Sequence, residues 1–260
     1  MNQIIHGDCV DVMATFPDDY IDLTVTSPPY DNLRDYNGYD FDFEGIAKQL
    51  YRVTKDGGVV VWVVGDATVK GSETGTSFRQ ALYFKDIGFN LHDTMIYRKT
   101  GTGACGSRSA YWQAFEYMFV FTKGKITTVN LLADRKNTSV GVTSNFGRFD
   151  KQGKQKDSKK RVNPEYSIRQ NVWDIHPFAS NLNDSRFKHP ARFPEQLAND
   201  HIISWSNEGD LILDPMCGSG TTCKMAIVNN RNYIGIDISE EYCEIARKRI
   251  AEHEQQLALC

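Results

Sequence analysis

The stretch from Asp214 to Asp237 constrains the fold more than any other part of the chain. A strand predicted over 210–214 is followed by a helix predicted over 221–229 and a second strand over 232–236, and the loop after the first strand reads Pro215-Met216-Cys217-Gly218-Ser219-Gly220-Thr221-Thr222. A glycine turn after one strand, with a carboxylate at the end of the next, is typical of a βαβ unit that binds a nucleoside. The pattern therefore predicts a parallel α/β sheet that holds a nucleoside-containing cofactor.

NAD is the second choice for that cofactor. A dinucleotide fold requires G-x-G-x-x-G, in which the third glycine lets the helix pack closely on the strand. Here Gly218 and Gly220 are present, but Cys223 stands at the third position. The spacing favours a different nucleoside cofactor.

A second feature is a strand that ends abruptly at two prolines. The apolar run 21–25 leads through Thr26 into Ser27-Pro28-Pro29-Tyr30. Proline fixes φ and removes a backbone donor, so no strand ladder can continue through this corner. The corner presents a hydroxyl, a carbonyl and an aromatic ring together. A Pro-Pro pair taken alone more often only ends a strand.

Composition limits the class of protein. The 260 residues are 40% hydrophobic with a net charge of −3, which suits one large α/β domain or a domain with an insertion. No apolar run approaches the roughly 20 residues that span a bilayer, and residues 1–6 lack a signal-peptide pattern. We therefore expect a cytoplasmic protein without membrane contact. The six cysteines form no C-x-x-C pair, so neither a disulfide nor a metal site is predicted.

The middle of the chain, 133–187, loses its apolar periodicity and becomes basic. A charge run of this kind is usually a solvated linker. Aromatic residues interrupt this one, at Phe146, Phe149, Tyr166, Trp173 and Phe178. Basic and aromatic side chains together favour phosphate contact with base readout. The candidate DNA-binding residues are Arg148, Lys151, Lys154, Lys156, Lys159, Lys160 and Arg161.

These motifs together resemble the amino-methylating DNA methyltransferases. The proline corner comes first, the basic region second, and the glycine loop with Tyr233-Ile234-Gly235-Ile236-Asp237 last. That order is similar to the family's β group, whose fold is a circular permutation of the usual S-adenosylmethionine fold. His189-Pro190-Ala191-Arg192-Phe193-Pro194-Glu195 and His6-Gly7-Asp8-Cys9 resemble two further cofactor motifs of the family. The resemblance spans nearly the whole chain except its basic middle.

The resemblance implies that three parts of the chain have different roles. Residues 1–132 are expected to form the catalytic half of the methyltransferase domain, 133–187 the target-recognition region and 188–260 the cofactor half. The fold expected is a circularly permuted Rossmann-like α/β fold with a mixed, mostly parallel sheet and helices on both faces. The implied catalytic residues are Ser27, Pro28, Pro29 and Tyr30. The implied S-adenosylmethionine site comprises Asp8, Cys9, His189, Pro190, Phe193, Asp214, Pro215, Met216, Cys217, Gly218, Ser219, Gly220, Thr221, Asp237 and Ile238.

The target base follows from one residue. In the family, serine at the first position of the corner most often accompanies cytosine N4, so Ser27 favours methylation of that amine in a flipped-out base. Adenine N6 is the alternative. Cytosine-C5 methylation is rejected, because it needs a cysteine presented after a proline and no proline here precedes a cysteine.

Two rivals to a DNA methyltransferase also remain: a catalytically silent DNA-binding module, and methylation of RNA or protein amines. Double-stranded DNA is the expected partner. A cognate restriction endonuclease and a homodimer are left open.

Overall fold

The computed structural model describes residues 2–29, 41–101, 105–107, 110–145, 150–154, 160–177 and 194–258. In chain order its elements are β1 (Gln3–His6), α1 (Cys9–Ala14), β2 (Ile21–Thr26), α2 (Phe43–Val53), β3 (Thr54–Val64), β4 (Thr68–Val69), β5 (Ser72–Glu73), α3 (Thr76–Asp86), β6 (Asn90–Lys99), β7 (Cys105–Ser107), β8 (Ala110–Gln113), β9 (Phe115–Thr122), β10 (Arg135–Lys136), β11 (Thr143–Asn145), β12 (Lys160–Val162), β13 (Tyr166–Ser167), β14 (Val172–Ile175), α4 (Glu195–Trp205), β15 (Leu211–Asp214), α5 (Thr221–Val228), β16 (Asn232–Asp237) and α6 (Glu240–Ala258).

An eight-stranded sheet carries the larger part of the fold, in the order β1-β16-β15-β2-β3-β9-β6-β14. Within it β9 is antiparallel to β3 and β6, and the other neighbouring strands are parallel. The centre is fully covered, since every residue of the run Val59–Val64 in β3 is buried. This explains why that run is continuously apolar rather than alternating.

Helices cover both faces of the sheet. On one face, buried residues of α1, α2 and α3, such as Met13, Leu50 and Phe84, pack on the sheet. On the other face, α4, α5 and α6 contribute residues such as Ile202 and Ala246. The predicted α/β class, with a mostly parallel sheet and helices on both faces, is confirmed.

The strands that lead to the proline corner and to the glycine loop are neighbours at the centre of the sheet. Strand β2, which leads to the proline corner, pairs in parallel with β15, which leads to the glycine loop, in the register Leu213↔Thr24. The carboxyl ends of parallel strands meet at one edge of a sheet, which is where such folds bind ligands. Residues almost two hundred positions apart in sequence are thereby brought to the same edge.

The chain separates into two compact units, Met1–Asn130 with Asn171–Cys260, and Leu131–Gln170. The smaller unit contains two short antiparallel ladders, β10 with β13 and β11 with β12. The functional division of the chain at residues 132 and 187 stays a prediction.

One part of the basic middle was misinterpreted from the sequence. Trp173, predicted to lie on a DNA-facing surface, is 5% exposed and belongs to β14 at the edge of the main sheet. In that strand Trp173 and Ile175 are buried while Val172 and Asp174 are exposed. The exposed Val172 is itself apolar, so the sequence of this strand does not alternate between apolar and polar residues and gives no periodic signal.

The described residues include neither a membrane-spanning helix nor a cluster of metal-ligating side chains. Among them, none of the helices is both long and apolar enough to pass through a membrane. The same residues contain no group of three or more His, Cys, Asp or Glu side chains arranged to hold a metal ion.

Candidate active site

The proline corner follows directly from the end of β2. Thr26 is the last residue of the strand and is fully buried, Pro28 is buried, and Ser27 and Pro29 are half-buried. The fourth predicted residue, Tyr30, lies outside the described residues. The buried Thr26 and Pro28 fix the backbone on either side of Ser27, so that the corner is anchored in the core rather than carried on a free loop.

Two threonine hydroxyls bond the end of β2 to the elements on either side of the glycine loop, β15 and α5. Thr26 Oγ1 donates to Asp214 Oδ1 at 2.8 Å, and this bond is buried. Thr222 Oγ1, at the start of α5, donates to the Val25 carbonyl at 3.1 Å. Neither threonine was among the predicted site residues. A hydrogen bond to a charged group contributes about 1.5–3 kcal/mol and one between neutral groups about 0.5–1.5 kcal/mol, so both links resist relative movement of the two motifs.

Asp214 is the most perturbed carboxyl of this edge. Burial raises its pKa to about 6, although hydrogen bonds from the Thr26 hydroxyl and the Met216 N–H oppose the shift. The Met216 N–H donates to Asp214 Oδ1 at 3.2 Å. Asp214 therefore changes charge close to neutral pH, whereas an exposed aspartate does not.

The glycine loop folds back tightly on the main sheet. Gly218 and Gly220 have φ values of +50° and +74°, in the left-handed region that favours glycine. The Gly220 N–H donates to the Cys217 carbonyl, and the Cys217 N–H donates to the Ile236 carbonyl, both at 2.8 Å. These bonds fix the loop against β16.

Asp237, at the end of β16, accepts a hydrogen bond from the glycine loop. Its Oδ2 accepts from the Gly218 N–H at 2.8 Å, and its Oδ1 accepts from the Ser239 N–H at 2.9 Å. Burial raises its pKa, and these backbone bonds and the charge of His6 oppose the shift. Each carboxylate oxygen can accept a further bond, so Asp237 keeps the capacity to hold two hydroxyl groups.

The first predicted cofactor motif lies beside Asp237. Strand β1 pairs with β16 in the register His6↔Asp237, and the Gly7 N–H donates to the Asp237 carbonyl at 3.0 Å. Asp8 caps α1, since its side chain accepts from the Val10 N–H at 2.7 Å. Burial, with the charges of Asp8 and Asp237, raises the pKa of Cys9 to about 12, so its thiol is inert at neutral pH.

His6 was not among the predicted site residues. Its Nε2 lies 3.1 Å from the Ile238 carbonyl oxygen, and its Nδ1 lies 2.9 Å from a carboxylate oxygen of Glu240. It therefore ties together both ends of the segment that follows Asp237, including the predicted adenine contact Ile238. A histidine next to a recognisable motif was visible in the sequence, but its partners were not.

The remaining predicted cofactor residues divide into three groups. Pro215 and Cys217 are buried beneath the loop, and Met216 is half-buried against the sheet face that α1, α2 and α3 cover. Ser219 and Thr221 are buried and both accept hydrogen bonds from Arg249. His189, Pro190 and Phe193 lie outside the described residues.

An exposed aromatic hairpin follows β6 at the edge of the main sheet where β2 and β15 end. The hairpin β7–β8 connects β6 to β9, and β6 runs in the direction of β2 because both β3 and β6 are antiparallel to β9. Tyr111 is fully exposed and Trp112 is 70% exposed. Aromatic residues are enriched at protein interfaces, so these two neighbouring exposed rings form a candidate interaction surface.

The smaller unit carries the predicted DNA contacts that the structure describes. Lys151, Lys154, Lys160 and Arg161 are all exposed, and the last two lie on β12. Arg148, Lys156 and Lys159 lie outside the described residues. The four described cations leave a positive, solvent-facing surface on this unit.

Sequence comparison identifies relatives over most of the chain. A family model described as DNA methylase, of the N6/N4 type, matches residues 21–248. The orphan methyltransferase M.BamHII from Bacillus amyloliquefaciens is 58% identical over 240 residues, which cover 90% of this chain and 89% of that protein. The DNA adenine methyltransferase YhdJ from Escherichia coli (strain K12) is 28% identical over 261 residues, covering 95% and 82%.

Solved structures share the fold. PvuII DNA methyltransferase, described as cytosine-N4-specific, superposes with a TM-score of 0.71 at 21% identity, covering 95% of this chain and 85% of that one. M1.HpyAVI, solved in complex with S-adenosylmethionine, gives a TM-score of 0.64 at 22% identity, covering 95% and 98%. At these identities the likeness concerns the architecture alone.

Proposed function

Because this chain belongs to the N6/N4 family of DNA methyltransferases, we propose that it methylates the N4 amine of cytosine at a specific DNA sequence. The choice of cytosine N4 is supported by Ser27 at the first position of the corner. The observation that carries methyl transfer itself is the Thr26–Asp214 hydrogen bond of 2.8 Å, which joins the proline corner to the strand of the glycine loop. A methyl donor held by the loop is thereby brought to the edge of the sheet where the corner lies.

The residues present fit S-adenosylmethionine as the methyl donor. Gly218 and Gly220 give a backbone that a ligand can approach closely, and Asp237 keeps acceptor capacity for two ribose hydroxyls. Asp214, when ionised, offers a negative charge beside the loop. When bound, this cofactor supplies a methyl group on a positively charged sulfur.

The corner prepares the target amine. The lone pair of an exocyclic base amine is delocalised into the ring, so the amine is a poor nucleophile. The Ser27 hydroxyl and the Pro28 carbonyl are two acceptors at a fixed separation, and together they accept both N–H hydrogens and draw the nitrogen toward tetrahedral geometry. No strong base is needed, because the nitrogen becomes cationic and acidic when it forms its new bond, and it then loses one proton to solvent water. Most of the rate then comes from positioning.

The DNA side of the reaction uses exposed surfaces. The target base must leave the duplex to reach the corner, and Tyr30 is proposed to stack on it. The cations of the smaller unit, including Lys160 and Arg161, are proposed to contact phosphates. The relative with 58% identity is named an orphan methyltransferase, which favours action without a cognate restriction endonuclease.

Nucleoside mass spectrometry of DNA incubated with the protein and S-adenosylmethionine tests this proposal. We expect N4-methylcytosine. N6-methyladenine would instead establish the alternative, which the adenine-methylating relative of 28% identity favours. Methyl transfer into RNA or protein only, or binding of DNA without binding of S-adenosylmethionine, would contradict the proposal.

A further inference from the structure

A buried ion cluster lies directly behind the glycine loop, and none of its three members is among the residues predicted to bind the cofactor. Arg249 of α6 is 3% exposed and donates from Nη2 to Glu195 Oε1. The Lys224 Nζ lies 2.8 Å from the same carboxylate oxygen. Buried charges are costly unless they are paired and hydrogen-bonded, and Glu195 is here shared by two cations.

The other guanidinium nitrogen of Arg249 reaches the loop itself. Nη1 donates to the Ser219 carbonyl at 3.1 Å, to the Thr221 hydroxyl at 3.0 Å and to the Ser219 hydroxyl at 3.4 Å. The peptide that joins Ser219 to Gly220 is thus bonded on both sides, because its N–H donates to the Cys217 carbonyl. This fixes the plane of the central peptide of the loop.

Close packing of α6 on the loop makes this contact possible. A Cβ at Gly220 would lie 2.9 Å from the Cβ of Ala246, closer than two carbon atoms can pack. Ala246 and Arg249 stand three residues apart on α6, on the same face of the helix. The absence of a side chain at Gly220 therefore lets the helix come near enough for Arg249 to reach Ser219.

We propose that Arg249 is a positioning residue for the cofactor loop, which it holds through the Ser219 carbonyl while Glu195 orients its guanidinium. Glu195 is the first residue of α4 and the last residue of the segment 189–195 that resembles a cofactor motif. The cluster thus joins three helices, α4, α5 and α6, at the glycine loop. This inference rests on the proposed use of the loop for S-adenosylmethionine.

The test is Arg249→Met, with binding measured by calorimetry on the full chain. Glu195 keeps Lys224 as a partner in this variant, so no buried carboxylate is left unpaired. We expect the Kd and the KM for S-adenosylmethionine to rise about tenfold or more, because a loosened loop loses preorganised contacts, while kcat at saturating cofactor changes by less than about threefold. Arg249→Lys should fall in between, since it keeps the charge but loses the fork geometry.

Lys248→Met is the matched control, since Lys248 is exposed and next to Arg249 on the same helix. It removes the same charge and should leave the cofactor Kd unchanged. If Arg249→Met does not fold, Arg249→Lys and Glu195→Gln carry the test, and both should raise the Kd. A folded variant with a lower Tm but a wild-type Kd would overturn the inference. Failure of the wild-type chain to bind S-adenosylmethionine would instead overturn the proposed function.

Discussion

Ser27 directly follows strand β2, and its hydroxyl is one of two acceptors proposed for the target amine. We expect Ser27→Ala to reduce kcat by about 100-fold or more, since an interaction made in the transition state is lost. The Kd for S-adenosylmethionine should stay within about twofold, because Ser27 is proposed to contact the base and not the cofactor. Single-turnover methylation with calorimetry separates the two quantities. An equal loss of both would mean that Ser27 serves the structure of the corner.

Asp214 should make cofactor binding depend on pH. Its pKa is raised to about 6 by burial, so lowering the pH from 7 to 5 protonates the side chain. We expect the affinity for S-adenosylmethionine to fall over this interval, because only the ionised carboxylate offers a negative charge to the cationic cofactor. A calorimetric pH series should show the change near pH 6. In Asp214→Asn the affinity should be lower at pH 7 and nearly independent of pH.

The raised pKa of Asp214 has the opposite effect on the free energy of unfolding, which is larger at low pH. A carboxyl whose pKa is raised in the folded state contributes stability that is complete below its unfolded pKa and is lost as the pH rises through the folded value. For Asp214 that interval runs from about 4 to about 6. The free energy of unfolding of Asp214→Asn, relative to that of the wild type, should therefore increase by on the order of 1–3 kcal/mol as the pH rises from 4 to 7. Denaturant unfolding at both pH values measures this, and a constant difference would contradict it.

At the scale of elements, the hairpin β7–β8 exposes Tyr111 and Trp112 on the edge of the sheet that carries the proline corner. An aromatic ring stacked on a base contributes about 1–3 kcal/mol. We expect Trp112→Ala to weaken DNA binding about 5- to 100-fold while the cofactor Kd stays unchanged. Fluorescence anisotropy with a labelled duplex measures the affinity.

Leu82→Ala is a suitable control for the hairpin, because Leu82 is a comparably exposed apolar residue on α3. It should leave the DNA affinity unchanged. An equal loss in both variants would point to a general effect on the fold rather than to contact with DNA.

Elements with a strong local pattern were predictable, and those made by distant partners were not. The run Val59–Val64 is continuously apolar, which is typical of a buried strand, and the apolar residues of α2 repeat at helical spacing; each pattern predicts the element that the structure shows. The stretch 65–77 was glycine- and threonine-rich and gave no such signal. There Asp66 accepts from the Ser77 N–H at 2.9 Å and from the Thr74 hydroxyl at 3.3 Å, and so orders the start of α3.

The candidate site shows the same limit. Asp214, Gly218, Gly220 and Asp237 could be proposed as site residues from the sequence, because a glycine loop and the acidic ends of its two strands form a recognisable local pattern. Thr26 and Arg249 were missed, because their partners lie 188 and 30 residues away along the chain. A buried arginine on an amphipathic helix looks in sequence like any solvated one.

At the scale of the whole molecule, the smaller unit Leu131–Gln170 carries the described basic surface. We expect Lys160→Ala combined with Arg161→Ala to weaken binding to all DNA sequences alike. The slope of log K against log salt should become shallower by about 0.9 for each phosphate contact that is lost. Binding titrations at several salt concentrations measure the slope. The control pair is Lys85→Ala with Lys248→Ala, two exposed lysines outside this unit, and it should not change the slope. An unchanged slope in Lys160→Ala with Arg161→Ala would mean that this unit does not contact phosphates and is a solvated linker.

The pairing of β2 with β15 has a consequence for how the protein is made. The two strands are separated by the greater part of the chain, and β1 pairs only with β16 in the described sheet. At a synthesis rate of about 5–20 residues per second, β2 waits on the order of 10–40 seconds for its partner to leave the ribosome. During that time the nascent strand keeps an open edge of the kind that chaperones cover. Because the corner and the loop meet only after β15 is made, a truncated translation product has no assembled site with which to modify the genome.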